Sequence, residues 1–468
     1  MKTWCLIVLL AGCGGDDDEG PALVAAPAHA PLFGQVDVTF SGNLASLGEI
    51  HSVKVGGIAA WNVRASATQV VVTLQGAPQP GLADVEIDGA SGRSLRHGLF
   101  TYDPPPHGVP ANCAAFGASL TMGMESMGLD PRTQVAGVSG QLARAAGVDL
   151  ALPLFNPQLL PPMTLDDFNP DCTQKPNRAP TGGELPMVLT DPKSGKLDLR
   201  RGRIDPMLVT RNFAIGGSKV SDTLSGFQGG GALLERVVED PDTLPADVFT
   251  TETVSQIDRL ERLDPDIAFS TDLLANDLDS STTQDDDLHI EMITPLDQVK
   301  PLLAEMMQRL GRLHGQYFIA NMASMSILPN VAALRAKRIA AGQDTAASFD
   351  AKMQAIEDVT NQYNQALADA LRPYPNLHLV DFHAQAEGIR AGIRVGGELL
   401  TTQHFGGLLS LDDVHFTDTG YALYANQFIG AISDVLGSPI PLVDVEAVHA
   451  ADSLAPSKLA AAGFTCVH

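Results

Sequence analysis

The pattern of apolar and polar positions changes character along the chain. From residue 32 to residue 103, short runs at 36–40, 52–55, 69–74, 83–87 and 99–102 alternate apolar with polar residues and are separated by Gly, Pro and Asn. A period of two sends successive side chains to opposite faces, so this stretch predicts a small all-β sandwich. Beyond residue 111, short apolar or β-branched runs recur at 114–116, 207–214, 267–270, 317–322 and 377–382. Between them, apolar residues return every three or four positions, as in Val254, Ile257, Leu260 and Leu263 before Pro265. Leu302, Leu303, Met306, Met307 and Leu310 repeat the pattern before Gly315, as do the stretches 349–371 and 422–436. Strands separated by amphipathic helices predict an α/β domain over 111–440 with a doubly wound, five-stranded parallel sheet. In such a domain, sites form at the carboxyl ends of the strands.

Length and composition sharpen this picture. At 468 residues the chain is long enough for two or three domains. Its 55 Asp and Glu against 30 Lys and Arg give a formal charge of −25, which argues against a nucleic-acid partner. Residues 1–12 carry one positive charge, a short apolar run and small residues, the layout of a secretory signal too short to span a bilayer. Leu10-Ala11-Gly12-Cys13 resembles the lipobox of bacterial lipoproteins, which implies lipidation at Cys13 and an exported protein held at the outer membrane or cell surface. Residues 13–31 read as a flexible tether, 104–110 as a Pro-rich linker and 441–468 as a C-terminal extension. With Cys5 in the signal and Cys13 lipidated, Cys113, Cys172 and Cys466 remain, and any two could pair. Long insertions at 151–203, 226–250 and 278–295 are candidate walls and lids of a site. The acidic run Asp285-Asp286-Asp287, with Asp277 and Asp279 nearby, reads as a solvated loop rather than a calcium site, because it lacks a Gly-bearing loop closed by Glu.

Two segments carry candidate chemistry. In Cys113 to Gly123, a short apolar run is followed by Gly117, which permits a sharp turn, and by Ser119 at the start of a helix. Ser119 there is either an N-cap or a nucleophile. Near the C-terminus, Asp412-Asp413-Val414-His415 places a carboxylate three residues before a histidine, just ahead of a helix. Asp412 could orient His415 through Nδ1, although the same spacing also occurs in structural and metal-binding settings.

The segment 32–103 resembles an IPT/TIG immunoglobulin-like domain, through Val53-Lys54-Val55-Gly56-Gly57, Pro80-Gly81-Leu82-Ala83-Asp84 and the closing Phe100-Thr101-Tyr102-Asp103. Residues 111–436 resemble the SGNH/GDSL hydrolases, whose blocks appear in order as Gly117-Ala118-Ser119-Leu120, Asn212-Phe213-Ala214-Ile215-Gly216-Gly217, Leu274-Ala275-Asn276-Asp277 and Asp412 to His415. The resemblance implies flavodoxin-like layering and a triad of Ser119, His415 and Asp412. It also implies an oxyanion hole formed by the N–H groups of Ser119 and Gly217 with the side chain of Asn276, and no cofactor or metal. The implied activity is an extracytoplasmic ester hydrolase acting on lipid, acylated or acetylated carbohydrate or small esters, with a thioesterase or lysophospholipase differing only in substrate. Two positions depart from the pattern: Ala118 stands where the family carries Asp, and Leu274 where it carries Gly. They motivate the alternative of an inactive adhesive or carbohydrate-binding lipoprotein.

Overall fold

The computed structural model describes residues 20–106, 108–175, 189–195, 198–206, 208–227, 232–238, 254–283 and 286–466. The expected signal, Cys13, Asp285 and much of two insertions lie outside them. The chain divides into two compact units.

The first unit is built from β1 (Leu23–Ala26), β2 (His29–Pro31), β3 (Asp37–Gly42), β4 (Ile50–Val55), β5 (Ile58–Ala59), β6 (Trp61–Ala65), β7 (Gln69–Thr73), β8 (Gly81–Gly89) and β9 (Gly92–Asp103). They form two sheets, ordered β1-β3-β7-β6 and β2-β9-β8-β4-β5. The pairs β1–β3, β3–β7, β6–β7, β4–β5, β4–β8 and β8–β9 are antiparallel. The alternation in sequence becomes alternation in burial: Val38 and Phe40, Val70 and Val72, and Val85 and Ile87 are buried. One expectation is corrected here. The stretch 21–31, read as tether, contributes β1 and β2, because an edge strand needs only backbone pairing and Leu23 tucks inward.

The second unit is built around a parallel sheet of β10 (Cys113–Ala115), β11 (Ile267–Ser270), β12 (Gln316–Ala320) and β13 (Leu377–Val380), in that order. The fifth strand expected within 207–214 is absent among the described residues. Only Asn212 bridges to Ala115, with Ala115 N–H donating to Arg211 and Phe213 N–H donating to Ala115. Polar side chains draw this segment out of a ladder: Thr210 Oγ1 donates to the Ala151 and Asn212 carbonyls, and Asn212 turns its amide to Thr121. With that bridge counted, the spatial order is second, first, third, fourth, fifth, and it reverses between β10 and β11. That crevice is where open α/β sheets form their sites.

Helices cover both faces of the sheet. Ala114, Ala268, Tyr317 and Ile319 enter a core with Ile257 and Leu260 of the helix Gln256–Leu263, Leu303 and Met307 of Leu296–Leu310, and Phe349 and Leu367 of Ala346–Leu371. Capping boxes at Ser255 and Thr345 start two of these helices. On the other face, Phe269 meets Phe428 of the helix Asp418–Leu436 at 5.6 Å between ring centroids.

Cys172 pairs with Cys466 across 294 residues, fixing the chain end to the wall that carries Phe168 and Phe405. Among the described residues Cys113 is a buried free thiol; it donates to the Pro110 carbonyl, and burial pushes its pKa up to about 12. Closing so long a loop restricts the unfolded chain. Replacing Cys172 and Cys466 together by Ser is therefore expected to cost about 2–5 kcal/mol. Calorimetry should show a lower midpoint for that variant and for reduced wild type, whereas identical midpoints would mean the bridge contributes nothing.

Candidate active site

β10 runs into a turn whose geometry demands glycine. Gly117 has φ of 129°, and a Cβ there would lie 2.6 Å from Ser270 Oγ and 2.8 Å from Asp272 Oδ1. Gln256 clamps the same residue: its Oε1 accepts from Gly117 N at 2.7 Å and its Nε2 donates to Gly117 O at 3.0 Å. Ser119 then opens the four-residue helix Ser119–Met122, and Ala118 occupies the N-cap position, so the Ser119 hydroxyl is not the cap.

The turn is tied to β11 by a residue that no motif marked. Two residues past the end of β11, Asp272 is fully buried and accepts from Ala118 N at 2.9 Å, Leu120 N at 2.6 Å and Thr121 Oγ1 at 2.6 Å. Burial raises its pKa, with these donors pulling the other way. Asn212 adds a third fastening, its Nδ2 donating to Thr121 O at 2.9 Å.

His415 stands opposite, in the loop ahead of the helix Asp418–Leu436. Its Nδ1 lies 2.7 Å from Asp412 Oδ2, and its own N–H donates to Asp412 Oδ1 at 2.8 Å. Asp412 also accepts from Val414 N at 2.9 Å and from Met127 N at 2.5 Å. Met127 reaches it from a turn in which Ser126 and Met127 both hold left-handed backbone, φ 53° and 57°. Burial would neutralise Asp412, but His415 and these donors overcome it and hold the carboxyl below its ordinary value. For His415, burial opposes charge, while Asp412, Asp272 and Asp279 favour it, and the net shift is upward.

Ser119, Gly217, Asn276, Asp412 and His415 line one cleft of about 900 Å³. The structure thus brings together every residue expected of the triad and the oxyanion hole. Among the described residues, the N–H groups of Ser119 and Gly217 have no hydrogen-bond partner, and His415 Nε2 has none either. Asn276 Nδ2 donates one hydrogen to Ser218 O at 2.9 Å, which fixes the amide and leaves its second hydrogen available.

The same cleft holds a second Asp–His pair. His404 Nδ1 lies 2.6 Å from Asp413 Oδ1 and its Nε2 lies 3.1 Å from the Cys172 carbonyl oxygen. The carbonyl can only accept, so Nε2 donates to it; burial opposes the ring's charge, but Asp413 and that carbonyl raise its pKa. Asp279 also lines the cleft, its carboxyl pushed up to about 6 by burial, with His415 pulling the other way. Among the described residues no group of three His, Cys, Asp or Glu side chains is placed to hold a metal ion. Asp286 and Asp287 of the acidic loop are taken up by His289, and by Lys352 and Arg338.

The family model described as GDSL-like Lipase/Acylhydrolase matches residues 114–428. The chain belongs to that family. No curated protein sequence matches it. A carbohydrate acetylesterase from Xanthomonas citri is among the structures it resembles, with 11% identity over 77% of this chain and 68% of that one and a TM-score of 0.21.

Both departures from the GDSL-like pattern have a local answer. Asp272 supplies a carboxylate to the turn where Ala118 has none. Leu274 sits at φ −96° and ψ −6°, ordinary backbone that needs no glycine, with its side chain in the core. Asp272→Ala is expected to leave two backbone donors without a partner, at about 1–3 kcal/mol each, and to lower both the melting midpoint and ester turnover. Ala118 is fully buried, so Ala118→Asp should place a second carboxylate beside Asp272 and destabilise the GDSL-like domain. Melting curves for both variants check this; an Ala118→Asp protein as stable and active as the parent would refute the substitution of one carboxylate for the other.

Proposed function

We propose that this chain is a serine ester hydrolase working outside the cytoplasm. The observation that carries the reading is the buried Asp412–His415 pair, 2.7 Å apart, in one cleft with Ser119. Ser119 Oγ attacks the ester carbonyl carbon while His415 Nε2 takes its proton, and Asp412 holds the ring through Nδ1 and stabilises the imidazolium. The carbonyl electrons move onto oxygen, where the N–H groups of Ser119 and Gly217 and the Asn276 amide receive them. Collapse expels the alcohol, which takes the proton from His415. Water activated by the same histidine then releases the acid and restores Ser119. Asp272 supports an active site over an inactive relative, since it answers the main departure from the motif.

The reading extends to the N-terminal parts of the chain. It takes residues 1–12 as an export signal, Cys13 as the lipidated residue that holds the protein at a bacterial membrane, and the first unit as an IPT/TIG-like module.

Full-length protein should release p-nitrophenol from short-chain esters, and Ser119→Ala should lower kcat at least about 10³-fold while leaving the melting curve in place. Equal rates for the two proteins would refute the assignment. The pH profile offers a second check. A histidine whose pKa is raised stays protonated to higher pH, so the acid limb of kcat/KM should lie above roughly 6.5. Asp279→Asn removes a negative charge facing His415 and should move that limb to lower pH; an unmoved limb would show that the two groups are not coupled.

A further inference from the structure

A second cavity opens beside the catalytic cleft. It has a volume of about 90 Å³ and is lined by Met322, Met325, Leu328, Phe382, Ala386 and Ile389 among others. Ser119, Asp279 and Val414 line both cavities, so the two meet at the proposed nucleophile. Their linings differ in kind. The larger one mixes Gln174, Asn330 and His404 with Met127, Met163 and Phe168 alongside the catalytic groups, whereas the smaller one is walled mostly by apolar side chains.

We propose that the apolar chamber is the acyl-binding site, that it takes a straight acyl chain of butyryl to valeryl length, and that the wider, mixed cleft takes the alcohol. The proposal rests on the serine hydrolase reading. The tetrahedral centre forms at Ser119, so the two arms of the ester must leave it in different directions, and a wide cleft of mixed lining and a small apolar chamber both start there. Burying an unpaired hydroxyl costs about 1–3 kcal/mol in proteins, which excludes a polyhydroxylated alcohol from the chamber. Each methylene buried there instead contributes about 0.8 kcal/mol.

Volume sets the chain length. A dry cavity of about 150 Å³ holds one benzene. By proportion the chamber's 90 Å³ holds about three or four carbons beyond the carbonyl. One of its walls is firmly packed. Phe382 is stacked on Tyr424 at 4.0 Å between centroids and meets Phe416 edge-on at 6.0 Å, and Ala386 is 1% exposed.

The test is a series of p-nitrophenyl esters from acetate to palmitate, with the wild-type chain and with Ala386→Leu. Wild type should give its highest kcat/KM at butyrate or valerate and fall about tenfold or more by octanoate. Ala386→Leu, which fills the chamber, should lower the valerate-to-acetate ratio of kcat/KM by about tenfold or more. An optimum at acetate, or undiminished rates through palmitate, would overturn the proposal, as would a ratio unchanged in a folded Ala386→Leu. If that variant does not fold, the wild-type series still decides. No turnover of any ester, together with no labelling of Ser119 by a fluorophosphonate, would overturn the serine hydrolase reading and this proposal with it. Labelling and turnover with the wrong chain-length profile would overturn the proposal alone.

Discussion

The carboxylate of Asp272 is the constraint on which the geometry of the site depends. Ser119 lies on a turn that leaves β10 through a left-handed glycine, a shape with no regular hydrogen bonding of its own. Buried backbone donors on such a turn must find partners, and Asp272 receives those of Ala118 and Leu120 together with the Thr121 hydroxyl. Gln256 and Asn212 fasten the residues on either side. The turn is therefore fixed by the end of β11, by a flanking helix and by the bridge at Asn212. A hydroxyl at the tip of a strand is held in one position by these three fastenings, which the proposed nucleophile needs.

The same carboxylate belongs to an electrostatic arrangement around His415. Burial disfavours the imidazolium, yet Asp412, Asp272 and Asp279 outweigh it. In the proposed mechanism the buried ring acquires a proton, and negative charge fixed beforehand lowers the cost of that step. The cost falls on the carboxylates. Asp272 and Asp279 are both pushed upward by burial, while Asp412, with four donors and the ring on its oxygens, stays below its ordinary value.

Much of this was legible in the sequence, and the reasons for the exceptions are physical. β11 was expected over 267–270 and occupies those residues, because a short apolar run bounded by Pro265 and Asp272 has little choice. The Asp412–His415 pair was legible because three residues of spacing fix its geometry locally. Asp272 was not, since it meets Ala118 across 154 residues and a lone Asp after a strand carries no signal. The Cys172–Cys466 pairing was hidden for the same reason. The run 207–214 misled in a different way. Leu208 and Phe213 are buried and Val209 is exposed, a pattern shared by strands and by loops packed on a core, and the polar Thr210 and Asn212 decided between them.

Two histidines line the cleft, and hydrogen bonding separates their roles. Asp412 and Asp413 are consecutive, but Asp413 holds φ of 63°, and the two carboxylates serve different rings. His404 is engaged at both nitrogens, by the Asp413 carboxyl at Nδ1 and by the Cys172 carbonyl at Nε2, so neither is free. His415 faces an acceptor at Nδ1 alone, which sets the tautomer and leaves Nε2 with its lone pair. The proposed general base needs that lone pair, and among the described residues lining the cleft His415 keeps an unpartnered ring nitrogen. His404 instead joins Asp413 to the backbone of Cys172, so the disulfide that holds the chain end also braces the loop presenting His415.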